Sequence, residues 1–228
     1  MFPFFYDPTM VLLIPALILG IYAQYKVRAT YEKFSRVPSI KGRTGRDVAT
    51  LILHNNQITD VTVERSQGFL SDHYDPRKGI IRLSPNIFDS SSVAAVGVAA
   101  HEAGHAIQHS ERYLPLVARH AIFPAVSIGN WLAVPLVILG FILGQMRLID
   151  LGILIFSIVV LFQVITLPVE FNASRRALVQ LENGGYLTEG ELGSAKKVLN
   201  AAALTYVAAA AAAILNLLRL LALRRSRE

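Results

Sequence analysis

Long apolar stretches alternate with one amphipathic region along the chain, and this pattern sets out the elements. Thr9 to Tyr25 (TMVLLIPALILGIYAQY) is apolar and uncharged, just long enough to span a bilayer once flanking residues are added. Val126 to Gly144 and Asp150 to Leu167 are two further apolar segments. Only Gln145-Met146-Arg147-Leu148-Ile149 joins them, far too short for a domain. They are therefore predicted to form a transmembrane hairpin that returns the chain to the side it came from. The closing VLNAAALTYVAAAAAAILNLLRLLALRR is helix-forming but weakly hydrophobic at its Ala-rich centre. It either spans or lies at the interface against the hairpin.

Pro38 to about Gly97 reads as a soluble stretch. Thr44-Gly45-Arg46-Asp47 is a capping-box variant, Val48, Leu51 and Ile52 recur at helical spacing, and Asn55-Asn56 ends that helix. Asp60 to Glu64 alternates like a half-buried strand, Gly79 to Leu83 (GIIRL) reads as another, and Ser71 to Pro76 between them reads as a turn. Val93 to His109 is free of proline and follows Ser91 and Ser92, either of which can cap a helix. After the hairpin, Pro168 precedes a new helix opened by Glu170 and ended by Glu182-Asn183-Gly184-Gly185. Thr188-x-x-Glu191 caps the last helix.

Composition supports a membrane protein: 53% of the 228 residues are hydrophobic, and the mean hydropathy is +0.45. The net charge of +6 is unevenly placed, with seven basic residues and one acid between Lys26 and Arg46 and a second cluster at Arg224, Arg225 and Arg227. Basic clusters beside apolar segments mark topology or anionic lipid, which argues against nucleic acid. They place the N-terminus outside and the chain from Lys26 onward in the cytoplasm. The start MFPFFYDPT lacks a basic leader and no A-x-A site follows, so the first segment reads as a retained anchor. Cysteine is absent, which leaves histidines and carboxylates to bind any metal.

The chemistry concentrates in His101-Glu102-Ala103-Gly104-His105, an H-E-x-x-H motif set among small apolar residues. On a helix the two histidines share a face about 6 Å apart along the axis and can reach one ion, while Glu102 stays free to act on a water there. Gly97, one turn earlier, is expected to leave space beside the metal face. His109 lies about 12 Å along the axis from His101, too far for both to hold one ion. Glu170, on the same side of the hairpin, is the best third ligand. The bland alternative is an acid favouring a helix N-terminus. His73, Tyr74, His109 and Arg175 are candidates to steady the transition-state oxyanion.

Leu70-Ser-Asp-His-Tyr-Asp-Pro76, Arg82-Leu-Ser84, Ala100-HEAGHAIQH and Pro168-Val-Glu-Phe-Asn-Ala-Ser-Arg-Arg176 together resemble the YugP-type neutral zinc metallopeptidases of bacterial membranes. The layout is more distantly similar to the HtpX-type membrane proteases. The resemblance runs over nearly the whole chain and implies Zn2+ held by His101, His105 and Glu170, with Glu102 as base. Two positions depart. The HtpX-type pattern has an acid four residues after the ligand glutamate, where this chain has Ser174. The YugP-type pattern has Asp after Glu-Phe, where this chain has Asn172.

These readings predict a mainly α membrane protein with a zincin-like α+β catalytic part, a small β-sheet and three to four transmembrane helices. Residues 1–25 form an N-terminal anchor and 26–125 a cytoplasmic zincin-like part with the HEAGH helix. Residues 126–168 form a transmembrane hairpin, 169–188 a helix carrying the third ligand, and 189–228 an Ala-rich helix at or across the membrane. The expected function is a zinc-dependent metalloendopeptidase of a bacterial-type cell membrane, with its site facing the cytoplasm. Its partners are a peptide or protein substrate, membrane proteins included, and the lipid bilayer; no motif specifies an oligomer. The rival is an inactive zinc-binding scaffold or adaptor, against which intact Glu102 argues. A small transporter would need ionisable residues within the hairpin, which has almost none.

Overall fold

In the computed structural model, which describes residues 8–68 and 71–226, the apolar stretches become long helices and the amphipathic region a small mixed sheet. The MFPFFYD start of the anchor, Leu70 of the LSDHYDP run and Arg227 of the closing basic cluster lie outside the described residues. A 3-10 turn at Pro8–Leu13 leads into α1 (Ile14–Ser35), followed by α2 (Gly45–Asn55), β1 (Thr62–Arg65), β2 (His73–Asp75), β3 (Ile80–Leu83) and the short α3 (Pro85–Phe88). Then come α4 (Val93–Ser110), α5 (Leu114–Leu143), α6 (Met146–Asn183) and α7 (Glu189–Arg225). The chain sorts into two units.

One unit gathers the segments up to Ala23, Ala118–Pro168, and Thr205 onward. Val137, Ile149, Ile153 and Leu220 bury together within it, and Arg224 forms an ion pair with Asp150. Gly152 lets α5 and α6 touch: a Cβ there would sit 2.8 Å from the Ala133 carbonyl oxygen. Many apolar side chains nonetheless stay outside, Trp131 (82% exposed) and Leu154 (63%) among them. A water-soluble protein would not leave that surface uncovered. Among the described residues, four helical stretches are long and apolar enough to cross a membrane: Pro8–Ser35, Leu114–Leu143, Met146–Asn183 and Glu189–Arg225.

The other unit, Gln24–Val117 with Val169–Leu204, holds the sheet. Its strand order is β1-β3-β2, with β1 parallel to β3 (Thr62 opposite Ile80) and β2 antiparallel to it (Tyr74 opposite Ile81). Thr44 closes a full capping box with Asp47 at the start of α2. Val48 and Ile52 of α2, Ile81 and Leu83 of β3, Val93 and Val96 of α4, and Leu181 of α6 share one buried core. Asp72 accepts hydrogen bonds from the Ser84 N–H at 2.7 Å and from its hydroxyl at 3.0 Å. The segment before β2 is thereby pinned to the segment after β3.

Three expectations are corrected. Ser71 to Pro76 is not simply a turn, because His73–Asp75 forms β2. Three residues are too few to display an alternation, and β3 recruits them through its ladder. The chain reverses after Asp75, whose Oδ1 accepts from the Arg77 N–H at 3.0 Å, with Gly79 in the left-handed region at φ +64°. Glu170 does not open a helix, because α6 runs unbroken through Pro168. Proline lacks one N–H and its ring crowds the Val164 carbonyl, a cost that membrane helices tolerate where neighbouring groups re-satisfy the freed backbone. The helix expected at 169–188 is therefore the far half of α6, and the reading of Glu170 as a helix-N-terminal acid falls away. Gly97, finally, does not open space beside the histidines. It faces α7, where an added Cβ would lie 3.5 Å from the Ala195 Cβ.

Candidate metal centre

Helix α4 starts where the sequence predicts, with Ser92 as N-cap and its hydroxyl accepting from the Ala95 N–H at 3.2 Å. Two turns on, His101 and His105 stack edge-on with ring centroids 4.8 Å apart. Gly104 between them decides what can face them. A Cβ there would lie 2.6 Å from the Ala173 carbonyl oxygen, so only glycine lets the α6 backbone lie this close to α4. One turn before Ser174, Glu170 then reaches both rings: its Oε2 is 3.3 Å from His101 Nε2 and 3.5 Å from His105 Nε2. Ligand atoms of these three residues all lie within 4.8 Å of one another. Adjacent donors of a tetrahedral zinc ion, each at about 2.0–2.1 Å, stand about 3.3–3.4 Å apart. The two Glu170 separations match that spacing.

The rings are also held from behind. Ser174 Oγ lies 3.1 Å from His101 Nδ1, and Gln108 Oε1 lies 3.0 Å from His105 Nδ1. Both contacts engage Nδ1 and turn Nε2 towards Glu170, the orientation a metal-binding imidazole needs. Glu170 is 2% exposed, and a carboxylate that deep is tolerable only when paired. Glu102 is buried on the same helix. Burial, the largest influence on His105, pushes its pKa down, but the hydrogen bond to Glu170 and the charges of Glu102 and Glu170 outweigh it, and the net shift is upward.

The family described as "Putative neutral zinc metallopeptidase" matches residues 9–225. The chain belongs to this family. It is also 49% identical over 208 residues to the "Putative membrane protease YugP" of Bacillus subtilis (strain 168), covering 91% of this chain and 92% of that protein. No solved structure matches. Zinc is the metal the family implies, and a donor set of two imidazoles and one carboxylate, with no thiolate available, suits it.

Of the other candidate residues, Tyr74 and His109 are joined to each other, with the Tyr74 hydroxyl 2.8 Å from His109 Nδ1. Burial, with smaller effects from Asp60 and Asp75, pushes the Tyr74 phenol up to about 12. It therefore keeps its proton and can donate to Nδ1. His109 lies one turn beyond His105, about 6 Å along α4. His73 points to the other face of β2 from Tyr74 and engages its own loop, with Nδ1 2.7 Å from the Ser71 carbonyl oxygen. Arg175 is exposed. Neither is brought into the His101–His105–Glu170 cluster.

Sequence reasoning missed Gln108 and Arg176, and saw Ser174 and Asn172 only as departures. Arg176 Nε donates to Asn172 Oδ1 at 2.7 Å and Nη2 reaches Glu111 at 2.7 Å, tying α6 to the end of α4. A signal was present for two of the four. Gln108 stands three residues after His105, and Ser174 four after Glu170, so each shares a helix face with a ligand.

Proposed function

We propose that this member of the family is a membrane zinc endopeptidase that cuts peptide bonds at the cytoplasmic membrane surface. His101, His105 and Glu170 hold the zinc, and Glu102 is the general base. The observation that carries the reading is the placement of Glu170 Oε2 at 3.3 and 3.5 Å from the two Nε2 atoms. Family membership and the similarity to a protein named as a membrane protease support it.

Zinc bound by these residues supplies Lewis acidity, polarising the peptide carbonyl and making water acidic enough to react near neutral pH. Glu102 takes the proton from the attacking water and passes it to the departing amine nitrogen. His109, joined through Nδ1 to the Tyr74 hydroxyl and one turn beyond His105, is the oxyanion donor we assign from among the candidates. Strand β2 is an edge of the sheet, and α4 packs against it. An extended substrate adding to that edge would run alongside the site helix. The cytoplasmic orientation rests on the basic run that follows the first apolar segment.

The test pairs zinc content with cleavage of casein or a peptide library, for the detergent-solubilised wild type and Glu102→Gln. Near one zinc per chain in both, with cleavage lower by about 10²–10⁴-fold in the variant, is expected. Zinc in both with cleavage by neither would favour the idle scaffold. Zinc in neither overturns the centre.

A further inference from the structure

Gln108 has no part in the chemistry, and its role rests on the metal centre proposed above. Among the described residues Gln108 is the most deeply buried polar side chain, at 0% exposure, and its amide makes three hydrogen bonds. Nε2 donates to the Val169 carbonyl oxygen at 2.8 Å and to Asn172 Oδ1 at 2.9 Å, and Oε1 faces His105 Nδ1 at 3.0 Å. The orientation of the amide is not arbitrary. A backbone carbonyl can only accept, so the atom facing Val169 must be the NH₂ group. Asn172 Oδ1 is itself fixed as an acceptor by the Arg176 Nε donor at 2.7 Å. The amide oxygen is then left for His105, and an oxygen can only accept. The neutral His105 ring must therefore carry its proton on Nδ1, which leaves Nε2 as the lone pair a metal needs.

We infer that Gln108 is a positioning residue that holds His105 in its metal-ready tautomer, using the Val169 and Asn172 contacts on the ligand-bearing helix as its own anchor. Only an amide can do both, because it offers an acceptor on one side and donors on the other. The contact at Val169 lies next to Glu170 in the chain, so the same side chain couples one metal ligand to the backbone that carries another. A hydrophobic residue would fill the space and leave the His105 tautomer free. A glutamate would keep the acceptor for His105 and lose the donors to α6.

That contrast supplies the test. Zinc affinity is measured by chelator competition for the wild type, Gln108→Glu and Gln108→Leu in detergent, with thermal melts on the same samples and Co2+ absorption spectra as a geometric readout. Removing a residue of this kind from behind a ligand typically costs about 10–100-fold in metal affinity. Gln108→Leu should lose that much and shift the Co2+ bands. Gln108→Glu keeps an acceptor for the same Nδ1–H but loses the anchor on Val169 and Asn172, so it should lose less affinity than Gln108→Leu and shift the Co2+ bands less.

A merely structural bridge predicts the reverse order, since the buried carboxylate loses two partners and the leucine only fills volume. Gln108→Leu within threefold of wild type, or Gln108→Glu weaker than Gln108→Leu, overturns the inference while leaving the metal centre standing. If Gln108→Leu does not fold, Gln108→Met, which fills the space without an acceptor, replaces it. A wild type that binds no zinc overturns the centre and this role together.

Discussion

At the scale of single residues, the site depends on how closely two helices can approach. Gly104→Ala would put a methyl group 2.6 Å from the Ala173 carbonyl oxygen, and neither backbone can yield without moving Glu170 from the histidines. The expected cost is about 1–3 kcal/mol, read as a lower melting temperature, together with weaker zinc binding. Gly97→Ala meets Ala195 at an ordinary 3.5 Å and should change neither quantity appreciably. Equal effects from the two substitutions would remove the close-approach argument. The raised pKa of His105 has a consequence of its own. A metal needs the neutral ring, so zinc affinity should rise as pH climbs through the His105 pKa and fall below it, with proton release on binding. Calorimetry in buffers of different ionisation enthalpy would count those protons, and a pH-independent affinity would contradict the shift.

At the scale of elements, the caps and the proline make opposite predictions. Glu191 does more than hold the start of α7: Oε2 accepts from the Thr188 N–H and hydroxyl, and Oε1 accepts from the Ile40 N–H at 2.7 Å, far back in the chain. Glu191→Ala removes both roles and should destabilise the protein by about 1–3 kcal/mol, visible in thermal melts with zinc affinity little changed. Pro168→Ala restores one missing helical N–H to a helix that is already continuous, so zinc content and activity should stay at wild-type levels. A large loss of zinc in Pro168→Ala would mean that the proline itself sets the direction of Glu170.

At the scale of the whole molecule, metal and membrane act on stability and orientation. Because the ligands come from α4 and α6, zinc should stabilise the fold by mass action, by roughly 4 kcal/mol at a thousandfold excess over its dissociation constant. Chelation should therefore lower the melting temperature of wild type and leave a His101→Ala, His105→Ala double variant unmoved. The chain has no cysteine, so a single one reports topology cleanly. Glu182→Cys, at an exposed position near the end of α6, should react with a membrane-impermeant maleimide in inverted vesicles and not in intact cells. Labelling in intact cells instead would place the site on the outer face.

Much of this protein was legible in its sequence, because the deciding interactions span only a few residues. The apolar runs, the caps at Thr44, Ser92 and Thr188, and the i, i+4 spacing of His101 and His105 are local, and each lies where local chemistry put it. The resemblance to a metallopeptidase family, carried by several short motifs in order, is likewise a property of the string. What lay beyond it depends on partners far apart in the chain. Strand β2 exists because β3 offers a ladder to three residues with no periodicity of their own. Helix α6 passes through Pro168 because the surrounding packing outweighs the local cost of the proline. Ser174 came to back His101, and Gln108 found its anchor on Val169 and Asn172, only when Gly104 let α6 settle against α4. A motif can name the ligands, but the separation of 3.3 to 3.5 Å that lets them share one ion is a distance between helices, and packing alone sets it.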